Sequence, residues 1–461
     1  MIYVVVLCIV VTVLVAVTIY KTRSIKNKAD FMVAGRSLPW YVLVFTLLSS
    51  WIGAGSLFGG AENAYRNGFA SLWQPAGGLL GLILIAFIAG RARRFAQFTV
   101  PDLLETRYNS TARVLGSIAI VVSCVVITSY QFIGGGDILH LIFPEVPKTT
   151  GMYIIAAFVI AFTAAAGMAS VAYLDLVIGG MVTLTVIAAV PILLAQAGGW
   201  SQVRANLPAD HFQVLGHLTI WQALGFTLPT MLLLIGNQGM YQKFFSARSE
   251  RDASLAVFGW IGGALLLETL LVTLAVIGSS MIKLENPREI LPATAKLGLP
   301  PLLGAILLGG MFAKVISTAN NFLFSPSTNI VHDIYARFID RNASEERTLI
   351  VSRVTVVVLG LLALLQGAYF KSILEAALYA YTIYGAAVTP SVMAVFFWRR
   401  ATTQGAVASI FLGTLVTIAW QWSGSELEAV YPALGASVAS LVVISLLTPP
   451  PAPEKIQPFF D

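Results

Sequence analysis

The chain has 461 residues, of which 57% are hydrophobic and only 11% are charged. Average soluble domains carry about 25% charged residues, so this composition excludes an ordinary soluble domain and indicates a polytopic, all-α membrane protein. The net charge of +6 does not indicate nucleic-acid binding, because the basic residues lie in short loops between apolar runs. Cys8 and Cys124 lie in apolar segments and the four histidines are scattered, which disfavours a disulfide framework or a metal cluster.

About thirteen apolar segments are long enough to be membrane-spanning helices. In chain order they cover residues 2–20, 38–63, 70–90, 112–142, 151–168, 174–197, 217–238, 253–281, 301–333, 349–368, 372–397, 403–422 and 429–448. Several exceed the roughly 20 residues that one span needs, so we expect some helices to be tilted, broken or extended beyond the bilayer.

The first segment and the basic residues predict the orientation. Met1–Tyr20 lacks a basic n-region and a small-residue cleavage site, and a cluster of Lys and Arg follows it at 21–28. This pattern favours an uncleaved first helix that enters from outside. With an odd number of spans the C-terminus is cytoplasmic, as are the basic loops at 91–94, 243–251 and 337–347. We expect a multi-pass protein of the cell inner (plasma) membrane.

The second span is rich in glycine at membrane depth. Its central part, Ser49–Gly60, has the sequence SSWIGAGSLFGG, and each glycine costs about 1 kcal/mol of helix propensity. Such a stretch is either a closely packed helix–helix seam or an unwound break whose free carbonyl groups face a cavity. The segment alone favours neither alternative.

The ninth span carries polar residues along one helix face. Lys314, Ser317, Thr318 and Asn321 are spaced i, i+3, i+4 and i+7 within MFAKVISTANNFLFSPSTN, so they share a face. Hydroxyl groups alone would favour a packing seam. A lysine near the bilayer centre costs at least about 3 kcal/mol on insertion scales, so its presence favours a functional site.

An acidic residue at the start of the sixth span is a candidate partner for this lysine. Asp175 would be unremarkable beside the membrane surface, but an intramembrane cation normally requires a partner. Motifs of the HExxH, GxSxG and GxxxxGK[ST] types are absent from the sequence, so we expect no enzyme.

Five segments carry a resemblance to a known family. They are SSWIGAGSLFGGAENAYRNG (49–68), FTVPDLLETRYN (98–109), SYQFIGGGDIL (129–139), GNQGMYQKFFSARSERDA (236–253) and VISTANNFLFSPSTNIVHDIY (315–335). In this order and on these spans, over nearly the whole chain, they resemble the sodium/solute symporter family, whose members include proline, sugar, sialic acid and iodide carriers. Any one segment alone would be weak.

The resemblance implies the leucine-transporter fold, in which two inverted five-helix repeats form the core. An extra helix and loop would occupy 1–37, the repeats 38–197 and 198–397, and two further helices with a short tail 398–461. The implied function is a secondary active transporter that imports a small organic solute by alternating access, as a sodium symporter. No organic cofactor is expected.

The resemblance also implies a sodium site between the second and ninth spans. Its ligands would be the carbonyl groups of Ser49 and Ile52, the hydroxyl groups of Ser317 and Thr318, and the carbonyl of Lys314, where relatives usually have a small residue. Asp175 matches the family aspartate that is associated with a second sodium site in some members.

Lys314 leaves two alternatives open. Its ammonium could occupy the place of the ion and make the carrier sodium-independent or proton-coupled. Alternatively, it could turn toward Asp175, fill the second site and leave the first usable. Because both hydroxyl ligands are retained, we favour sodium coupling.

By position in the family, the solute would lie near Ser56, Gln131, Thr230 and Tyr384. No intramembrane arginine lines this region in the sequence, and the aromatic residues suit a small neutral or zwitterionic solute. We expect a functional monomer in the lipid bilayer. A transporter-like sensor that acts with a partner protein is an alternative of another class, which the short tail after the last span disfavours.

Overall fold

The structure is a computed structural model that describes residues 1–22, 32–95, 99–165, 168–367, 370, 372–425 and 427–460. These residues form a helical bundle without strands. The helices are α1 Ile2–Thr22, α2 Trp40–Trp51, α3 Ala61–Asn67, α4 Trp73–Ala86, α5 Ala89–Phe95, α6 Val100–Arg107, α7 Ser110–Ile142, α8 Lys148–Ala165, α9 Met168–Gln196, α10 Gly199–Asn206, α11 Ile220–Gly236, α12 Gln238–Ser246, α13 Glu250–Met281, α14 Ile290–Leu297, α15 Pro301–Thr328, α16 Glu345–Gln366, α17 Ile373–Ala387, α18 Thr389–Phe397, α19 Thr403–Trp422, α20 Val430–Leu447 and α21 Pro453–Phe460.

Many of these helices can cross a membrane. Within the described residues, ten helical stretches are long and apolar enough to span, or eleven if the bent pair α17–α18 is one span. Two shorter apolar helices lie at Ile2–Val17 and Trp40–Trp51. The polytopic all-α architecture is therefore confirmed, whereas the count of thirteen spans stays a prediction.

The glycine-rich stretch of the second span is an unwound break. Helix α2 ends at Trp51, Ile52 has an extended backbone (φ −84°, ψ 97°), and a π-helical turn resumes at Gly55–Gly60 before α3. Gly53 is required here, because a Cβ at this position would lie 2.6 Å from Oγ1 of Thr318 on α15. The absence of a side chain lets α15 touch the break.

A second helix is broken in the same way. Helix α11 ends at Gly236, and Asn237 is extended (φ −61°, ψ 114°) before α12 begins. The Asn237 side chain accepts a hydrogen bond from the Met240 amide at 3.3 Å, which caps α12. The freed Gln238 amide donates to Tyr384 Oη at 2.6 Å. At this break, a side chain from another helix therefore satisfies a backbone group that the broken helix has released.

The two halves repeat one order of elements. In each half a broken helix comes first, a long helical segment follows, and a short helix (α6 or α14) precedes a long span (α7 or α15). This order is expected of the leucine-transporter fold. The domain boundaries at 37, 197 and 397 stay predictions.

Helix α15 lies at the centre of the bundle. It packs against α1, α7 and α9. In its most apolar stretch, 83% of the residues are buried inside the protein. Because protein rather than lipid surrounds it, polar side chains on α15 can find partners at membrane depth.

Candidate ion and solute sites

The break in the second span and the polar face of α15 meet as the sequence predicts. Thr318 Oγ1 donates to the Ser49 carbonyl at 2.8 Å and lies 3.3 Å from the Ile52 carbonyl. These carbonyls lie at the C-terminal end of α2, where the break leaves them without helical partners. Three oxygen atoms thus converge on one point. Hard oxygen ligands of this kind are the type that a sodium ion prefers.

Ser317 lies beside this point but turns toward the acidic residue. Its hydroxyl lies 3.5 Å from Ser49 Oγ and makes a short hydrogen bond with Asp175. Asp175 also accepts from Thr46 Oγ1 at 2.5 Å and is fully buried. The carboxylate is therefore part of the interior, and it joins α2, α9 and α15.

Lys314 reaches the edge of the predicted sodium site. Its side chain is fully buried, and Nζ donates to Ser49 Oγ at 3.0 Å. Among the described residues, the structure has no ion pair within 4.0 Å between Lys314 and Asp175. The amine therefore lies near the predicted sodium site without forming a direct ion pair with Asp175 at the predicted second site.

A second buried lysine was placed wrongly from the sequence. The sequence predicts Lys243 in a cytoplasmic basic loop, whereas the structure places it in α12 with no exposed surface. Its Nζ donates to the Thr46 carbonyl at 3.0 Å and, in a short contact, to Ser50 Oγ. Helix α12 directs this residue into the bundle, where Asp175 supplies the nearby negative charge.

The charges of the group formed by Lys243, Lys314 and Asp175 do not balance when all three residues are ionised. Lys243 and Lys314 would bring two positive charges and Asp175 one negative charge. Uncompensated buried charge costs several kcal/mol, of order 3–5 kcal/mol when one partner of a buried pair is removed. The protonation of the two lysines therefore decides whether a further cation is tolerated here.

Three of the four predicted solute residues make hydrogen bonds to backbone groups of the protein. Gln131 Oε1 accepts from the Ala54 amide at 2.7 Å, Tyr384 Oη accepts from Gln238 as described, and Thr230 donates to the Phe226 carbonyl of its own helix at 2.8 Å. Gln131 and Tyr384 thus satisfy the broken helices, and their role as solute contacts stays a prediction.

Ser56 lines a small cavity. Trp51, Gln74, Glu268 and Tyr381 also line this cavity, which lies between the break and α13. Ser56 Oγ donates to Glu268 Oε1 at 2.8 Å. Glu268 is not among the site residues predicted from the sequence, although an acidic residue within the apolar run ALLLETLLVTLAV is a signal for such a site.

An ionic network centred on Arg113 joins three helical elements. Arg113 of α7 donates to Asp102 at 2.5 Å and to Asp333 at 2.7 Å, and it makes a short contact with Glu105. Burial alone would raise the pKa of the Glu105 carboxyl, but hydrogen bonds from Arg113 and Arg337 lower it below its usual value. The Glu105 carboxylate therefore stays ionised, and the network holds together α6, α7 and the helical turn Asn329–Ile339 that follows α15.

The same network contains the one candidate metal cluster among the described residues. Ligand atoms of Asp102, His332 and Asp333 lie within 4.8 Å of one another. However, the Arg113 guanidinium already donates to both carboxylates. This arrangement fits an ion-pair lock better than a metal site.

A core with two broken helices, and with converging carbonyl and hydroxyl oxygens at one of the breaks, is the architecture of secondary transporters. Residues 31–413 match the sodium:solute symporter family, and the chain belongs to this family. Membership in this family supports sodium-coupled symport of a small organic solute. The protein is therefore a transporter rather than an enzyme.

Curated relatives match over nearly their whole length. The high-affinity proline transporter PutP of Bacillus subtilis is 26% identical, with 96% of this chain and 97% of the relative covered. A sodium/proline symporter of Haemophilus influenzae is 25% identical over 94% of this chain and 92% of the relative.

Solved structures share the fold at low sequence identity. A Na⁺-coupled sialic acid symporter in a substrate-bound outward-open state superposes with a TM-score of 0.86, at 16% identity and 98% coverage of both chains. A nucleobase-cation-symport-1 family transporter in a closed conformation has a TM-score of 0.60 at 10% identity, with 94% of this chain and 99% of the other covered.

Proposed function

We propose that the protein imports a small organic solute by alternating access and that sodium, the co-transported substrate, binds at the break between α2 and α15. The observation that carries this proposal is the convergence of the Ser49 and Ile52 carbonyls on Thr318 Oγ1. These oxygens come from two helices that can move relative to each other. An ion that bridges them changes the relative stability of the two arrangements.

Sodium can enter this site by replacing hydrogen bonds that exist without it. Thr318 now donates to the carbonyls that the ion would contact. On ion binding its hydroxyl rotates, so that the oxygen lone pairs face the cation. The site therefore needs a small adjustment of one side chain rather than a new set of residues.

The remaining predicted ligands of this site are the Ser317 hydroxyl and the Lys314 carbonyl, and Asp175 belongs to the predicted second site. Lys243 already supplies positive charge beside Asp175. A second sodium ion at the carboxylate therefore requires that Lys243, Lys314 or both be neutral or move away. We infer that the site at Thr318 is the principal coupling site and that Asp175 keeps the buried lysines in place.

A sodium-independent or proton-coupled carrier is the second candidate. The position of Lys314 favours it, because Nζ lies 3.0 Å from Ser49 Oγ, at the edge of the ion site. A charged amine there repels an added cation and serves as a tethered ion. A neutral amine does neither.

Thermal unfolding of the purified protein in NaCl or KCl at equal ionic strength separates the two candidates. A ligand that binds only the folded state stabilises it by RT ln(1 + [L]/Kd). We expect sodium to raise the unfolding midpoint of the wild type above its value in potassium. A wild type that is indifferent to sodium, beside a Lys314→Met variant that responds, would instead establish the amine as the substitute for the ion.

The side of the membrane and the solute belong to the same proposal. We propose a protein of the plasma membrane with its N-terminus outside and its C-terminus in the cytoplasm, because basic residues concentrate in the loops that this orientation places inside.

Proline is the first solute to test, since curated relatives are named for it. The functional unit is proposed to be a monomer.

A further inference from the structure

The cavity beside Ser56 contains a buried carboxylate with no basic partner. Glu268 lies within α13 and only 6% of it is exposed. Its hydrogen-bonding neighbours are Ser56, at 2.8 Å, and the Trp51 side chain. Among the described residues, no Lys, Arg or His nitrogen lies within 4.0 Å of this carboxylate.

A second acceptor in the same cavity is unsatisfied. Gln74 is 6% exposed, and its Oε1 atom has no hydrogen-bond partner within the described part of the chain. A buried acceptor without a donor costs about 1–3 kcal/mol, so such groups are normally satisfied by a ligand or water. Glu268 and Gln74 together present acceptors that call for hydrogen-bond donors.

Two aromatic residues form one wall of the cavity. The rings of Trp51 and Tyr381 are stacked, with centroids 6.5 Å apart and planes inclined by 29°. Faces of aromatic rings attract organic cations, and indole does so most strongly. This wall favours an organic ammonium group over a hydrated inorganic ion, which would need more oxygen ligands.

From these observations we propose that the transported solute carries a protonated nitrogen, which binds Glu268 as its counter-ion and donates an N–H to Gln74 Oε1. This inference rests on the proposed function and narrows its substrate class to cationic or zwitterionic solutes. Neutral solutes without a charged nitrogen are excluded. The cavity is small in this conformation, so the solute enters when α13 and the broken helix separate.

Matched analogues test the charge requirement without any mutation. We would measure thermal unfolding in sodium with L-proline, L-prolinamide, N-acetyl-L-proline and tetrahydrofuran-2-carboxamide, and extend the comparison to other amino acids and their amides. We expect stabilisation by compounds with a protonated nitrogen and none by the last two. Stabilisation by neutral analogues, or by no amine at all, would overturn the proposal.

Glu268→Gln tests the residue. It keeps the shape of the side chain and removes the charge, and we expect at least about tenfold weaker binding of the amine, because charge-assisted hydrogen bonds are the strong ones. Glu345→Gln, at an exposed position of α16, is the matched control and should bind normally. Unchanged amine affinity in Glu268→Gln would overturn the assignment.

The sodium response of the same samples separates this inference from the proposed function. A wild type that responds to sodium but to no amine refutes the inference alone. A wild type that binds amines through Glu268 but ignores sodium refutes sodium coupling alone. Loss of the sodium response in Glu268→Gln, with no amine binding in the wild type, would make the cavity an inorganic cation site instead.

Discussion

At the scale of single residues, the oxygen of Thr318 is central to the ion site. Its hydroxyl contacts both carbonyls at the break. Thr318→Val keeps the branched shape and removes the oxygen, so we expect the sodium-dependent rise of the unfolding midpoint to disappear. Thr414→Val on α19 is the control, because that hydroxyl donates only to the Ile410 carbonyl of its own helix at 2.9 Å. A retained sodium response in Thr318→Val would place the ion elsewhere.

The charge of Asp175 is the second prediction at this scale. Asp175→Asn leaves the nearby lysines without a carboxylate, and we expect a loss of about 3–5 kcal/mol of stability. The double variant Asp175→Asn/Lys243→Met removes one charge of each sign and should recover much of this loss. Chemical denaturation in detergent measures both variants. Additive losses in the double variant would mean that the two groups do not interact.

Local sequence identified some of these residues and missed others for a physical reason. Ser317 and Thr318 were predictable because hydroxyl groups recur on one face of an apolar helix beside a lysine. Lys243 was missed because a lysine ahead of a basic loop looks the same whether its helix is exposed or buried. Its burial depends on Thr46 and Ser50, which are distant in sequence.

At the scale of elements, the break in the second span depends on a glycine. We expect Gly53→Ala to force apart α15 and the break, since the new Cβ would lie 2.6 Å from Thr318 Oγ1, and to cost about 1–3 kcal/mol. The sodium response should weaken with it. Gly180→Ala in α9 is the control, because its Cβ would meet nothing within 4 Å. Equal effects of both substitutions on unfolding would contradict this role of Gly53.

Periodicity predicted the long helices better than the breaks. The span predicted at 112–142 corresponds to Ser110–Ile142, and that at 253–281 to Glu250–Met281. The glycines at 53–60 were equally compatible with a packed seam and an unwound segment. Only tertiary contacts decide between them, since the freed Ala54 amide needs the Gln131 side chain from another helix.

At the scale of the whole molecule, the Arg113 network joins α6, α7 and the helical turn at 329–339 that follows α15. Arg113→Met removes the shared cation from Asp102 and Asp333, and we expect a loss of about 3–5 kcal/mol and faster deuterium exchange at 100–107 and 329–339. Arg347→Met is the control, because its pair with Asp340 is exposed and worth at most about 1 kcal/mol. Unchanged exchange in Arg113→Met would contradict the lock.

The family and the overall architecture could be inferred from ordered motifs on apolar segments, whereas the charge balance of the interior could not. Glu268, Lys243 and Asp175 acquire their roles from neighbours on other helices. The same limit applies to the solute residues. Gln131 and Tyr384 occupy family-like positions, yet their polar atoms bond to the backbone of the broken helices.

Direct binding of radioactive sodium to the purified protein tests the central claim, that sodium bridges α2 and α15 at Thr318. The account predicts saturable ²²Na⁺ binding to the wild type that excess potassium does not displace. Binding should be lost in Thr318→Val and retained in Thr414→Val. Absence of saturable binding in the wild type, with its appearance in Lys314→Met, would contradict the claim and assign the place of the ion to the lysine.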